Sequence, residues 1–271
     1  MRATVRRRYA GASPKKPDQI SPFPVVWLRA EDLGLADGAG VSSWTDRALL
    51  ASARTWVQAV SGNQPVFHTS AGAQSPNGMP YLDFVRANAP ELDASGDLAM
   101  LRKKTALTLF VVARIVSPNT TRNLLTVNQN GGTGTVRYAF GFPTDNANTL
   151  KGAANDGVSG NTGMESQFWN QAGGSNGQVW AVFIQRRSYV HNKHEQWRNG
   201  IRIGGANYSG TSPNVTSDTD SAGARISGGS TEAVGGQLAE MALWDWWLTR
   251  AQIKGLMKYA RGRYNLPGVP I

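Results

Sequence analysis

The feature that most restricts how this chain can fold is its rhythm of short apolar runs, each broken after a few residues by Gly, Asn, Asp or Ser. Thirty-one Gly and thirteen Pro are scattered rather than clustered, which suits many short strands joined by tight turns. Ala106–Val116 (ALTLFVVARIV) is apolar at odd and even positions alike, as a central strand covered on both faces must be. Val179–Val190 predicts a second long strand, mostly apolar in its first half. Asn123–Val127 follows a Pro-Asn-Thr-Thr turn, and Asn130-Gly-Gly-Thr-Gly134 signals a hairpin into Val136–Phe142. Gln196–Arg198 and Ile201–Ile203 flank Asn199-Gly200, the pair best suited to the two positive φ angles of a type I′ turn. Residues 145–177 and 204–236 are rich in Gly, Asn and Ser and read as long loops.

At 271 residues the chain is long for one average domain, yet all-β sandwiches reach this size undivided. A hydrophobic share of 40% with nine Trp is enough for a sizeable core. One helix stands out. Thr249-Arg-Ala-Gln252 has the spacing of a capping box, and Ile253, Leu256, Met257, Ala260 and Tyr264 follow at helical intervals before Pro267. Cys is absent, which excludes disulfides and thiolate metal sites. There is no apolar run of membrane-spanning length, and the first residues lack the apolar stretch of a secretory signal.

The net charge of +10 is unevenly placed. Arg2, Arg6, Arg7, Arg8, Lys15 and Lys16 fall in residues 1–17 without an acid, and Arg250, Lys254, Lys258, Arg261 and Arg263 fall in residues 250–263, again without one. The remaining 17 basic and 18 acidic residues balance, so the body is near neutral. A nucleic-acid binder spreads its basic residues over a folded face with aromatics between them, so this placement argues against one. The expected organisation is a basic extended N-terminal arm, residues 1–24, then a sandwich over residues 25–271 with a helix at 250–263. Removing residues 1–20 is expected to leave that sandwich folded.

Several segments resemble the concanavalin A-like lectin/glucanase (laminin G-like) superfamily, in particular its phage and phage-like branch. Val26-Trp-Leu-Arg-Ala-Glu-Asp-Leu33 resembles the opening strand, and Val41-Ser-Ser-Trp-Thr-Asp-Arg47 the Trp-x-Asp segment after it. Asn63-Gln-Pro-Val-Phe67 and Asn77-Gly-Met-Pro-Tyr-Leu-Asp-Phe84 resemble a further pair, and Trp197-Arg-Asn-Gly-Ile-Arg202 a hairpin. Gly236–Thr249 resembles the penultimate strand, which the superfamily follows with a short helix. The resemblance implies an all-β fold, a concanavalin A-like jelly-roll sandwich of two antiparallel sheets. It does not by itself imply an activity, because this fold hosts lectins, hydrolases and purely structural modules.

Hydrolases of this fold carry a Glu-x-Asp-x-x-Glu strand, which sets alternate carboxylates on one face. The nearest match, Glu91-Leu-Asp93-Ala-Ser-Gly96, lacks the third carboxylate and reads as loop, so no enzyme and no catalytic residue are expected. His191-Asn-Lys-His194-Glu195 is read as a surface turn rather than a metal site, and no cofactor is expected. Trp27, Trp44, Trp180 and Trp244 are assigned to the core. Trp169, Trp197 and Tyr208 lie nearer loops and are the candidates for stacking on a sugar ring. The functional expectation is a multi-copy structural or decoration protein on the outer surface of a virion. Its six basic arm residues would dock on capsid, neck or tail proteins, and the alternative is an adhesin for host-surface glycans.

Overall fold

The computed structural model describes residues 13–48, 54–69, 75–85, 88, 90–94, 104–117, 122–128, 136–142, 151–154, 179–188, 190–191, 193–207, 223–226 and 235–266. In chain order the strands are β1 (Val26–Arg29), β2 (Ser43–Thr45), β3 (Thr55–Val57), β4 (Val66–His68) and β5 (Tyr81–Phe84). Next come β6 (Leu92–Ala94), β7 (Ala106–Ser117), β8 (Arg122–Asn128), β9 (Val136–Phe142) and β10 (Lys151–Ala154). The last five are β11 (Ala181–Ser188), β12 (Lys193–Arg198), β13 (Ile201–Asn207), β14 (Gly223–Ile226) and β15 (Gly235–Trp244), before a C-terminal α-helix, α1 (Arg250–Tyr264). One sheet runs β13-β12-β11-β7-β15-β5-β4, with β1 also paired to β15; the other runs β10-β9-β8-β14-β6-β3-β2. All these pairings are antiparallel, so the two-sheet all-β sandwich expected from the sequence is what forms.

Strand β7 shows why its sequence is apolar on both faces. Leu107, Leu109, Val111 and Ala113 enter the core between the sheets, with Trp44, Trp56 and Leu92 from the opposite sheet. Phe110 and Val112 face the other way, into a second apolar layer with Trp244, Ile253, Leu256 and Met257 from the helix side. Asn199 (φ 46°) and Gly200 (φ 86°) make the expected turn between β12 and β13. The Trp-x-Asp segment proves to be structural: Trp44 Nε1 donates to the Arg29 carbonyl, and Asp46 Oδ1 accepts from the Trp27 and Ala48 amides. The assigned core tryptophans Trp27, Trp44 and Trp244 are buried, and Trp180 packs against the second layer.

Three expectations need correction. Residues 145–177 and 204–236 contain strands: β10, the end of β13, β14 and the start of β15. Leu92, between Glu91 and Asp93, is core, so this stretch is strand β6 rather than loop. The arm is not an appendage throughout. Ser13–Pro24 lies on the protein itself, Pro17–Gln19 forms a 3-10 turn, and Ile20 is 1% exposed within the second layer. Deleting residues 1–20 would therefore remove a core side chain, and Ile20→Ala should cost about 2–4 kcal/mol.

The helix is held by its caps and by one buried acid. The Thr249 amide donates to Gln252 Oε1 (2.7 Å) and the Gln252 amide to Thr249 Oγ1 (3.3 Å), which is the capping box read from the sequence. At the other end Asn265 takes the left-handed conformation, and Asn77 Nδ2 donates to the Arg263 carbonyl. The register of β15 shifts between Leu238 and Glu240, a bulge that brings the fully buried Glu240 to the helix side. Its carboxylate accepts from Trp27 Nε1 (2.7 Å), Tyr259 OH (3.0 Å) and Tyr264 OH (2.7 Å).

Burial pushes the Glu240 carboxyl up to about 7 from an ordinary 4.5, against the donors that favour the anion. Between those values the folded chain holds a proton that the unfolded chain has released, so this group's contribution to stability falls as pH rises through that window. Glu240→Gln removes the effect. The stability gap between wild type and variant should narrow by roughly 2 kcal/mol from pH 5 to pH 7, as read by urea unfolding. A gap that is constant or widens would mean that Glu240 is ionised throughout.

Candidate functional site

Lysines from two basic segments remote in sequence share one surface. The Lys15 amide donates to the carbonyl of Gly255 in α1 (3.2 Å), and Gln252 Nε2 donates to the Ser21 carbonyl (2.7 Å). A Cβ built on Gly255 would lie 3.4 Å from Lys15 Cβ and 3.4 Å from the Ser13 carbonyl oxygen. The absence of a side chain at this position is what lets the segment lie flat on the helix. Lys15 and Lys16 are exposed there, beside exposed Lys254 and, one turn on, partly buried Lys258. The nearest acid along the segment, Asp18, is partly buried. Arg263 belongs to another group: it pairs with Glu31, which also binds Arg29 (2.7 Å). Arg2, Arg6, Arg7 and Arg8 lie outside the described residues, which begin at Ser13 on this surface.

Of the aromatic candidates, Trp169 and Tyr208 lie outside the described residues. Trp197 is 8% exposed in β12, within the second layer, where the Arg186 guanidinium lies 5.8 Å from its ring. Alternation along the strand turns it inward, so it offers no open face to a sugar. Trp246 does: it is 56% exposed just beyond β15, next to the Lys104–Asp245 ion pair (2.7 Å). Among three tryptophans in four residues, sequence could not say which one faced out.

The β11–β12 hairpin carries buried charge on both faces. On the helix side Arg186 Nε donates to Glu195 Oε2 (2.8 Å), its Nη1 donates to the Leu248 carbonyl, and the Trp247 ring lies 4.0 Å away. Desolvation pulls the Arg186 pKa down and the Glu195 carboxylate opposes it. On the inter-sheet side Arg187 is 2% exposed, and its Nε and Nη1 have no hydrogen-bond partner. Gln196, at 0% exposure, has none for either amide atom. His194 is buried in β12, not in the turn expected for it, while His191 is in the turn. Among the described residues no group of three or more His, Asp or Glu is placed to hold a metal, and no helix is long and apolar enough to cross a membrane.

No family model matches the chain, and no curated protein matches it either. Solved structures do. The binding domain of botulinum neurotoxin DC, in complex with rat synaptotagmin II, superimposes with a TM-score of 0.55 at 10% identity, over 87% of this chain and 51% of that one. Botulinum neurotoxin type C, whose uptake by cells depends on interaction with two ganglioside molecules, gives 0.54 at 8% identity, over 87% and 50%. Trypanosoma rangeli sialidase with sialic acid gives 0.48 at 14% identity, over 93% and 36%. The chain spans about half the length of the two toxin chains. At these identities the likeness shows the β-sandwich and nothing finer, and the concanavalin A-like assignment rests on the sequence motifs alone.

The contact at Gly255 can be checked directly. Gly255→Leu should lift Ser13–Lys16 off the helix, raising amide exchange at Lys15 roughly tenfold, as the loss of about one hydrogen bond implies. Unchanged exchange would mean that the helix does not hold the segment.

Proposed function

We propose that this chain is a non-catalytic carbohydrate-binding β-sandwich, anchored to other proteins of a virion by its basic arm and by the surface from which the arm emerges. The observation that carries the anchoring is the docking of Ser13–Lys16 on α1. It brings Lys15 and Lys16 beside Lys254 and Lys258 as one basic surface, which suits an acidic groove on a neighbouring protein. The same layer covers the outer face of the β7–β15 sheet, so the opposite side of the sandwich is left to project outward. Carbohydrate as the ligand class is supported by the fold shared with a ganglioside-dependent toxin and by the exposed indole of Trp246, whose face suits a sugar ring. The catalytic reading has little support: Glu91 and Asp93 flank a core leucine without the third carboxylate that the hydrolase strand requires.

Exposed charges are screened over about 10 Å at 0.1 M salt, so attachment to particles should weaken steeply between 50 and 200 mM. Replacing Lys15, Lys16, Lys254 and Lys258 with Glu should abolish attachment, and replacing Arg6, Arg7 and Arg8 with Ala should reduce it, neither change moving the melting temperature of the isolated protein by more than a few degrees. Salt-independent attachment would sink the anchoring. For the ligand, a glycan array probed with wild type and Trp246→Ala decides: binding that the variant loses supports the reading, and no binding to any glycan refutes it.

A further inference from the structure

We propose that the inter-sheet face of the β11–β12 hairpin is a site for a carboxylated sugar, with Arg187 gripping the carboxylate and Gln196 a neighbouring hydroxyl. This rests on the carbohydrate reading above and names the chemical class of the ligand.

The face is set by alternation. Ala181 and Phe183 of β11 belong to the inter-sheet core, so Gln185 and Arg187 continue on that side while Arg186 turns to the helix. In the register of the hairpin Gln185 stands opposite Gln196, and Arg187 opposite His194. Two successive cross-strand rungs are thus polar, and the rung before them pairs Phe183 with Arg198. They adjoin the turn, where Val190 and His191 are exposed, so a ligand that reaches Arg187 would have to enter past that turn.

The same hairpin shows what a buried arginine requires. Arg186, on the opposite face, has a carboxylate, a carbonyl and an aromatic ring around it. Arg187 is as deeply buried and, among the described residues, has neither an acid nor any acceptor for its Nε and Nη1. A desolvated guanidinium without an anion is among the most costly groups to leave in a protein interior, so the arrangement fits an anion that arrives from outside. The planar fork of Nε and Nη donors on Arg187 matches a carboxylate. Gln196 Oε1 and Nε2, both unpartnered, can accept from and donate to a hydroxyl. A carboxylate beside hydroxyls is an acidic sugar.

The test is thermal unfolding, at matched ionic strength, of wild type, Arg187→Met, Arg187→Lys and Gln196→Leu with glucuronate, N-acetylneuraminate, galactose, galactose 6-sulfate and acetate. Glucuronate or N-acetylneuraminate should raise the wild-type melting temperature by several degrees at millimolar concentration, acetate less and galactose not at all. Arg187→Met should lose that shift, yet melt no lower than wild type without ligand, because it removes an unpaired buried charge. Arg187→Lys should bind at least about tenfold more weakly, since an ammonium cannot make the bidentate contact. Arg187→Met melting well below wild type, with no shift from any acid, would overturn the site by showing that the chain itself supplies a carboxylate. An equal shift from galactose, or a larger one from the sulfated sugar, would overturn the carboxylate assignment. Failure of this site with Trp246-dependent array binding intact leaves the carbohydrate reading standing, whereas loss of both removes it.

Discussion

Glu240 is buried at the bulge in β15, where it accepts hydrogen bonds from an indole on β1 and from two phenols on α1. A carboxylate taken from water this completely is tolerable only because every donor around it is aimed at it. The arrangement works in both directions. Trp27, Tyr259 and Tyr264 are large apolar bodies with one polar tip each, and burying those tips beneath a helix without an acceptor would be costly. The acid therefore sets where the helix lies on the sheet as well as being held by it. Both helix caps then acquire their partners: Gln252 reaches Ser21, and Arg263 offers its carbonyl to Asn77.

The N-terminal segment depends on that placement. Ile20 has an apolar layer to enter only because α1 and Trp244 form one on the outer face of the sheet. Lys15 can bond the helix backbone only because residue 255 is a glycine that faces it. The basic surface is thus a consequence of packing: Lys15 and Lys16 come to lie beside Lys254 and Lys258 because the segment docks on the helix. Charge gathered in this way acts on association rate and orientation more than on the stability of the body.

The β11–β12 hairpin illustrates the other principle at work in the sandwich. Period-two alternation sends neighbouring arginines to opposite faces, and the two faces differ in what they contain. Arg186 meets the residues after β15, which supply a carbonyl and an indole, and Glu195 from the adjacent strand completes its shell. Arg187 meets the inter-sheet space, where its rung offers His194 and no acid. Two residues identical in chemistry and adjacent in sequence thus have opposite electrostatic surroundings.

Much of this architecture follows from local pattern. The double-sided apolar run of β7, the Asn-Gly turn after β12 and the capping box of α1 are decided by residues within one or two turns of one another, so sequence alone determines them. Short strands such as β6, β10 and β14 escape such a reading because three or four residues have no periodicity to measure; their partners lie elsewhere in the chain. The site is less legible still. Sequence showed that positive charge concentrates in two segments and that aromatics are plentiful, but not that Lys15 would lie against Gly255, that Trp197 would turn inward while Trp246 stayed out, or that Arg187 would be left without an acid. Those outcomes depend on which face a side chain takes and what stands opposite it. That is set by strand register, by one bulge and by the packing of a helix, and each of these comes into being only when distant parts of the chain meet.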